Sequence, residues 1–416
     1  MNILFVSDTY YPHLNGVYYF VCRIAPLLQE KGHKVAVIAP SETIHASLKK
    51  IDGIDVYGLP SLPILYYPKV RIPIPLGLKP GIGVVLDEFC PDIIHLQDHF
   101  SISKAVIQAN KSRNIPMIGT NHFMPENLTS LIRSEKWKKK WSVLLWKNFS
   151  AVYNQLELVT TPSESAADLI RPRLRVEVRS ISSGVDLKNF NPPGNTEEVR
   201  RKYKIPDKPV LLFVGRLDPE KNLGEILYAL AAAVKKVDCC FVVVGKGIRK
   251  KALELLALEL GIQEKVIFTG YVADQDLPYI YKLSRCFIIS SIAELLSLSA
   301  LQGMAAALPI IAVNKGALGE LVKDQVNGYL YEAGDIHKLQ ISICNIMGSE
   351  SLSNAMSRKS LEFVQKHDLR QTVIAFEKLY VHLKNTQVRD RREYFVVSKE
   401  KFDLPVEEIS PSVYLK

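Results

Sequence analysis

The chain has 416 residues and lacks several features that would place it in other classes of protein. No apolar run approaches the ~20 residues that a membrane-spanning helix needs. The six cysteines are scattered through mostly apolar stretches, at spacings that do not indicate a metal site. No Gly-x-Gly-x-x-Gly follows the first predicted strand, which argues against an NAD-type oxidoreductase. We expect a cytoplasmic protein with free thiols.

An excess of basic residues is the first positive feature of the composition. Lys and Arg total 53 against 43 Asp and Glu, and the resulting net charge of +10 favours a nucleic acid, an anionic membrane surface or a phosphate-rich substrate as partner. No nucleic-acid-binding motif is present, so we expect no nucleic-acid partner. The first residues predict a core strand and not a secretory leader, which agrees with a cytoplasmic location.

The order of apolar and amphipathic segments predicts two domains. Strand-like apolar runs alternate with helix-length amphipathic stretches, a pattern typical of parallel sheets with crossover helices. A breaker-rich linker at 191–208 separates two such series. We therefore predict an α/β protein with Rossmann-like, doubly wound domains at 1–190 and 209–372, followed by a C-terminal helix and tail at 373–416. Ligands bind such sheets outside the carboxyl ends of the strands, so we expect the site in the cleft between the domains.

One predicted strand end in the second half suits a diphosphate. The apolar run from Val210 to Val214 stops at Gly215 and brings Arg216 and Lys221 next to a predicted helix start. Two cations and free backbone N–H groups at such a position favour the binding of phosphate groups.

A second segment of this half, 290–310, carries side chains suited to a sugar. Glu294 and Gln302 are eight residues apart, on a predicted loop that runs into a helix, so both can contact one ligand. Each signal is weak alone, because Gly-Arg is usually strand–turn punctuation and a single glutamate is usually a solvated helix-start residue. Their conjunction, in this order and spacing, is far more specific.

These segments resemble the donor-binding half of retaining GT-B glycosyltransferases of family 4, which use nucleotide sugars. The family pattern is a Gly-Arg…Lys pair followed by Glu, seven residues and a second Glu, and this chain departs from it once, at Gln302. The resemblance implies that Arg216 and Lys221 neutralise the leaving diphosphate. It also implies that Glu294 holds sugar hydroxyls and that Gln302 holds the ribose. The two Rossmann-like domains would then face each other across the cleft, as in GT-B enzymes.

The resemblance further implies front-face transfer without a metal or another cofactor. No Asp-x-Asp metal motif occurs in a suitable context, and no carboxylate pair has the spacing of a hydrolase. Backbone N–H groups near Leu298 and Ser299, at the start of the helix after Glu294, are expected to add dipolar stabilisation of the diphosphate. The donor expected from the resemblance is UDP-glucose or UDP-galactose.

Two strand ends in the first half match the acceptor side of the same family. Gly16 matches the family's first glycine loop, where the absence of a Cβ lets the backbone approach the donor phosphate. His122 matches the strand-end histidine near the acceptor, and we expect it to position a hydroxyl and not to act as a conventional base. We expect His95, Asp98 and His99, at another strand end, to line the cleft.

A basic amphipathic helix is predicted at 133–152. One apolar stripe of this helix is explained by packing on the domain core, whereas Trp146 falls on a face that also carries Lys136, Lys139 and Lys147. Tryptophan among lysines is typical of contact with an anionic bilayer surface. An apolar, proline-rich, basic loop at 61–80 adds to this prediction, unless it is buried.

The family members that glycosylate diacylglycerol or other membrane lipids are most similar, through Glu-Leu-Leu-Ser-Leu at 294–298 and Gly-Ala-Leu-Gly-Glu-Leu-Val at 316–322. The resemblance predicts transfer of a hexose from UDP-glucose to a lipid such as diacylglycerol, at the inner face of the cell membrane. One alternative is a GDP-mannose-dependent mannosyltransferase acting on a phospho-polyol, a glycolipid or a polysaccharide. Another is a non-catalytic scaffold that binds sugar nucleotides and membranes, an idea prompted by Gln302.

Overall fold

The computed structural model contains two α/β domains, each built on an open and mainly parallel sheet, as predicted. The structure describes residues 1–13, 15–64, 67–125, 134–190 and 192–393, except for the side chains of 67–69 and 387–393. Within these residues no helix is both long and apolar enough to cross a membrane.

The first domain contains an eight-stranded sheet and a two-stranded hairpin. Its strands are β1 (Asn2–Val6), β2 (Lys34–Pro40), β3 (Ser47–Ile51), β4 (Ile54–Leu59), β5 (Ser61–Ile64), β6 (Tyr67–Pro73), β7 (Ile93–Leu96), β8 (Met117–Thr120), β9 (Leu158–Thr161) and β10 (Glu177–Ser180). The sheet order is β10–β9–β8–β7–β1–β2–β4–β3, and β5 pairs with β6. Neighbouring strands of the sheet are parallel except β3 and β4.

The helices of the first domain cover both faces of its sheet. They are α1 (Gly16–Glu30), α2 (Leu78–Phe89), α3 (Ser101–Asn110), α4 (Glu135–Tyr153) and α5 (Glu164–Ile170), the last followed by a 3₁₀ turn at Arg171–Arg173. Because side chains alternate along a strand, Ile3 and Phe5 of β1 pack in one core cluster and Leu4 and Val6 in another. The first cluster includes α1, and the second includes α2, α3 and the end of α4.

The second domain has one six-stranded sheet, entirely parallel, around a single core cluster. Its strands are β11 (Val210–Val214), β12 (Cys240–Val244), β13 (Val266–Gly270), β14 (Cys286–Ile289), β15 (Ile310–Val313) and β16 (Gly328–Tyr331), in the order β13–β12–β11–β14–β15–β16. The order reverses beside β11, which places the ends of β11 and β14 at a switch point where ligands bind such sheets.

The helices that complete the chain begin with α6 before the second sheet. They are α6 (Glu197–Lys202), α7 (Leu223–Ala233), α8 (Lys250–Glu259), α9 (Leu277–Leu283), α10 (Leu298–Ala305), α11 (Leu318–Leu321), α12 (Ile336–Gly348), α13 (Glu350–Val364) and α14 (Leu369–Glu393), with 3₁₀ turns at Pro219–Lys221, Gln263–Lys265 and Gln365–His367. Polar N-cap side chains accept a backbone N–H at the start of several helices, including Ser163 at α5, Ser297 at α10 and Ser349 at α13.

The last helix, α14, returns to the first domain. Val373, Phe376 and Tyr380 pack in the same cluster as Phe5 and Phe20.

The two segments that cross between the domains run side by side. The Val185 N–H donates to the His367 carbonyl at 2.8 Å, and the Leu369 N–H donates to the Val185 carbonyl at 3.0 Å. Gly184 has φ +71°, and a Cβ there would lie 2.7 Å from the Cα of Leu369, so only glycine fits this crossing.

Candidate active site

The predicted donor-site residues Lys221 and Glu294 are brought together at the carboxyl ends of β11 and β14. The Lys221 Nζ lies 2.6 Å from the Glu294 Oε1 and 3.4 Å from the Ser291 Oγ. Only about 15% of the Lys221 side chain and 14% of the Glu294 side chain are exposed. The pair is therefore a shielded charge contact at the switch point of the second sheet.

Arg216 is held differently, because two thirds of its side chain is exposed. Its guanidinium forms ion pairs with the carboxylates of Asp218 and Glu220, the latter at 2.7 Å. Glu220 is buried, so the arginine is directed by a fixed acid one helical turn along the chain. Both cations of the predicted phosphate site are thus paired with carboxylates, Arg216 with two and Lys221 with one.

The strand-end loops of this half contain residues that the sequence interpretation missed. The Ser290 Oγ donates to the Lys221 carbonyl at 2.7 Å, which ties the β14 loop to the turn that carries the lysine. Gly245 and Gly247 follow β12, and a Cβ at either position would lie within 2.5 Å of the backbone of Gly215 or Leu217. The signal for the glycines was the sequence Val-Gly-Lys-Gly directly after an apolar run.

The start of α10 carries the other three predicted donor-site residues. Leu298 and Ser299 are its first residues, and backbone N–H groups of a first helical turn have no partner within the helix. The Gln302 side chain is one turn further on, and its Oε1 accepts from the Tyr281 hydroxyl at 3.1 Å. The same hydroxyl lies 3.0 Å from the Ser299 carbonyl oxygen, so its single hydrogen is shared between that carbonyl and the amide that replaces the family's carboxylate.

His122 follows β8 in the first domain and is held in a neutral state. Burial, with a contribution from the nearby Arg23 cation, lowers the pKa of His122 to about 3. The Gln97 amide donates to the His95 carbonyl, so its Oε1 is the acceptor for the His122 Nε2, 3.0 Å away. This arrangement places the imidazole proton on Nε2 and leaves Nδ1 as an acceptor, which suits a hydroxyl donor.

The structure contradicts the expected cleft-lining role of His95 and Asp98. His95 is fully buried, with Nδ1 2.7 Å from the Tyr380 hydroxyl and Nε2 2.6 Å from the Thr120 Oγ1. Asp98 is buried as well and accepts from the Asp8 N–H at 2.6 Å. The prediction was wrong because the last helix covers His95 and the loop after β1 covers Asp98, and both contacts join distant parts of the chain.

His99 is also buried and does not line the cleft. Neither ring nitrogen has a hydrogen-bond partner among the residues that the structure describes, and the ring packs among Phe100, Phe123 and Phe149. Burial lowers the pKa of His99 to about 4, so the ring is neutral at physiological pH. It behaves as an aromatic core residue.

Gly16 is the first residue of α1, after the N-cap Asn15, whose side chain accepts from the Tyr18 N–H at 3.0 Å. The space that a Cβ would take at Gly16 is open. In the described part of the chain, no group of three or more His, Cys, Asp or Glu side chains could hold a metal ion. Metal-independent transfer stays a prediction.

The basic helix predicted at 133–152 corresponds to α4, and residue 133 lies outside the described residues. Trp146 was expected among solvated lysines, but it is half-buried on the domain core, 5.1 Å from the Phe149 ring and 4.3 Å from the Arg173 guanidinium. The prediction was wrong because Phe149 and Tyr153 anchor the end of the helix, and Trp146 precedes Phe149 by one turn.

The apolar stripe of α4 is exposed instead, although core packing had explained it. About half of each side chain is accessible, at 53% for Trp137, 48% for Trp141 and 54% for Leu144. Four lysines of the helix are also exposed, Lys136, Lys139, Lys140 and Lys147, and the Lys140 Nζ lies 5.1 Å from the centre of the Trp137 ring. The β5–β6 hairpin and the loop after it also expose Leu62, Ile72 and Leu76.

Comparison with known proteins identifies the family and the fold of the chain. The family model for Glycosyltransferase Family 4 matches residues 14–189, and the model for Glycosyl transferases group 1 matches residues 195–363. The sucrose-phosphate synthase structure from Thermosynechococcus elongatus superposes with a TM-score of 0.76 at 18% identity, covering 93% of this chain and all of that one. The fold is therefore the two-domain GT-B architecture of glycosyltransferases.

Two glycosyltransferases are similar to this protein over most of its chain. Alpha-monoglucosyldiacylglycerol synthase of Streptococcus pneumoniae is 30% identical over 339 residues, which cover 80% of this chain and 75% of that protein. A GDP-mannose-dependent alpha-mannosyltransferase of Mycolicibacterium smegmatis is 27% identical over 341 residues, covering 80% and 84%. The chain belongs to the family 4 glycosyltransferases of the GT-B type, as the sequence resemblance predicted, and it is an enzyme.

Proposed function

We propose that the protein transfers a hexose, with retention, from a nucleotide-diphosphate sugar to a membrane lipid such as diacylglycerol, and that UDP-glucose is the donor. The shielded Lys221–Glu294 pair beside Arg216 carries the proposal, because it puts cations for a diphosphate next to an acceptor for sugar hydroxyls. The similarity to a synthase of a glucosylated diacylglycerol supports a lipid acceptor.

The donor half accounts for departure of the diphosphate. Lys221 and Arg216 stabilise the negative charge that develops as the bond between the anomeric carbon and the phosphate oxygen breaks. The backbone N–H groups of Leu298 and Ser299, which have no partner within the helix, add to this stabilisation. Glu294 exchanges its contact with Lys221 for hydrogen bonds from the sugar, and Gln302 accepts from the ribose.

The acceptor half accounts for the incoming hydroxyl. The Nδ1 of His122 accepts its hydrogen bond and orients it, and the neutral imidazole takes no proton because burial keeps its pKa at about 3. The acceptor oxygen bonds to the anomeric carbon on the face from which the leaving group departs. As this bond forms and the bond to the phosphate oxygen breaks, the hydroxyl hydrogen turns from His122 to the departing phosphate oxygen and is transferred there as a proton. No metal takes part in this proposal.

We place the protein at the inner face of the cell membrane, bound peripherally through the exposed surface of α4. Trp137, Trp141 and Leu144 would enter the interface between lipid headgroups and acyl chains, and the lysines of the helix would attract anionic headgroups. A lipid acceptor needs such an arrangement, since its reactive headgroup lies at that surface.

A GDP-mannose-dependent mannosyltransferase is the second candidate, favoured by the similarity to the mycobacterial enzyme named above. A non-catalytic scaffold is disfavoured, because the chain belongs to an enzyme family. A panel of UDP- and GDP-sugars with a lipid extract as acceptor separates the candidates. We expect glucose transfer from UDP-glucose into the lipid phase. Transfer from GDP-mannose alone would select the second candidate, and transfer only to water-soluble acceptors would remove the lipid.

Sedimentation with anionic vesicles tests the membrane surface. Replacing Lys136, Lys139 and Lys147 by Ser should abolish binding, since each lysine near the surface contributes about 1 kcal/mol. Exchanging Trp137 and Trp141 for Ser should weaken binding even at low salt. The matched control exchanges three exposed lysines of the second domain for Ser, Lys235, Lys236 and Lys251. Equal loss of binding in the control would indicate non-specific charge attraction.

A further inference from the structure

The two domains touch next to the donor site, through a residue that the mechanism does not use. Ser163 follows β9 of the first domain, and its Oγ donates to the carbonyl of Leu295 in the second domain at 2.6 Å. Leu295 is the neighbour of Glu294. Ser163 is 5% exposed, so solvent does not compete for this contact.

Glu320 makes a second contact between the same two regions. Its carboxylate, on α11 of the second domain, accepts from the backbone N–H groups of Glu164 at 3.1 Å and of Ser165. These N–H groups belong to the first turn of α5, directly after Ser163, and have no partner within the helix. A charged acceptor on such groups makes a stronger hydrogen bond than a neutral one.

The loop before α11 also packs on the donor-site loop. Gly316, with φ +51°, lies so close to Glu294 that a Cβ there would be 3.2 Å from the Glu294 carbonyl oxygen. Glu294 is thus enclosed by a loop of its own domain and, through Leu295, by the first domain. Any rotation that opens the cleft at this point separates Ser163 from Leu295 and Glu320 from α5.

We propose that Ser163 and Glu320 are positioning residues that form an interdomain link, defined as Ser163 to Leu295 and Glu320 to the N–H groups of 164 and 165. The link holds the loop of Glu294 in place only when the domains are closed. Sugar contact and domain closure are thereby coupled, as expected for a two-domain enzyme whose catalytic groups assemble on closure. This inference rests on the proposed donor role of Glu294.

Kinetics of Ser163 variants separate the link from the helix cap that Ser163 also provides. Ser163→Ala should lower kcat about tenfold, in line with loss of one buried hydrogen bond. Ser163→Asp keeps an acceptor for the Ala166 N–H but cannot donate to Leu295, so we expect at least the same loss. Ser163→Thr retains the hydroxyl and should restore activity. The control is Ser349→Ala, which removes a helix cap far from the link and should leave kcat unchanged.

Glu320→Ala tests the second contact, and a double-variant cycle tests whether both contacts act together. Glu320→Ala should lower kcat by a similar factor. In the double variant, Ser163→Ala with Glu320→Ala, the decrease in kcat should be smaller than the product of the two single decreases, because either change alone releases the same loop. Independent, multiplying effects would overturn the link.

Amide hydrogen exchange of residues 292–297 provides a readout that needs no substrate. Exchange should be faster in Ser163→Asp and Glu320→Ala than in the wild-type protein and unchanged in Ser349→Ala. Wild-type exchange and kinetics in Ser163→Asp would reduce Ser163 to a helix cap. A wild-type protein that turns over no nucleotide sugar would refute the proposed function instead, while the exchange result would still decide whether the link exists.

Discussion

The proposed donor half and the proposed acceptor half of the site differ in the charge of their side chains. The donor half is charged, with Arg216 between two acids and Lys221 against Glu294. In the proposed acceptor half, burial lowers the pKa of His122, so its imidazole is neutral. The pKa values of His95 and His99, which are buried in the same domain away from the cleft, are lowered by burial as well. A leaving diphosphate needs charge opposite to its own, whereas an incoming hydroxyl needs only an oriented acceptor, so each half suits its own substrate.

The comparison also explains why the charged half contains its own acids. The Lys221 side chain is largely shielded from water, so leaving its charge unpaired would lower the stability of the folded protein. The contact with Glu294 offsets this desolvation cost while no ligand is bound. Binding of the proposed donor would then replace the contact between Lys221 and Glu294 by contacts with the ligand, and would not simply add contacts.

The largest effect should come from removing a charge of the donor half. Arg216→Ala and Lys221→Ala should each lower kcat by about 100-fold or more, because each loses a contact that strengthens as the diphosphate departs. Steady-state kinetics measure this, with Lys359→Ala as control, an exposed lysine of α13 that pairs only with Glu362 in the described part of the chain. Near-normal turnover in both variants would refute the donor site.

The first domain should lose stability in acid, because His99 is buried in its core in the neutral form. His99 has a pKa lowered from 6.5 to about 4, so the unfolded chain binds the proton more readily than the folded one. Its contribution to stability is present above pH 6.5 and is lost as the pH falls from 6.5 towards 4. His99→Phe keeps the ring contacts but cannot bind the proton. Between pH 7 and pH 5 its free energy of unfolding should therefore fall by about 2 kcal/mol less than that of the wild-type protein. Urea unfolding at both pH values measures this difference, and parallel losses would contradict it.

Removing His122 should lower kcat/KM moderately, and His122 should not contribute an inflection to the pH profile near neutrality. His122→Ala should lower kcat/KM for the acceptor about tenfold, the effect of one oriented hydrogen bond. The wild-type profile of kcat/KM against pH should show no inflection near pH 6.5 from this residue, because its pKa is about 3. An acidic limb near 6.5 that disappears in His122→Ala would instead identify it as a base.

The smallest effect concerns the one departure from the family pattern. Gln302→Glu provides a charged acceptor for the ribose and should tighten nucleotide binding by roughly 1 kcal/mol. Tyr281 can donate to the carboxylate as it does to the amide. Calorimetric titration with the nucleoside diphosphate measures the change, and Tyr281→Phe reports whether this hydroxyl sets the orientation. An inactive Gln302→Glu enzyme would indicate another role for Gln302.

The parallel sheets were predictable from sequence, because buried parallel strands are local apolar runs. The placement of Lys221 and Glu294 in one region was predictable too, because the ends of such strands meet at one edge, but their direct ion pair was not predicted. The burial of His95 was not, since Tyr380 contacts it from 285 residues away. The side of α4 that packs was also missed. Both faces of that helix carry tryptophan, and only the tertiary anchor at Phe149 decides between them. The link from Ser163 to Leu295 spans 132 residues and leaves no local pattern.

The return of α14 to the first domain has a consequence for how the protein is made. Phe376 and Tyr380 belong to the core that surrounds β1, so the domain synthesised first lacks part of its interior until α14 has left the ribosome. The second domain, whose core cluster extends from Val185 to Val364, is complete earlier. Synthesis from the N-terminus therefore completes the core of the second domain first, and the first domain gains its contacts with α14 only afterwards.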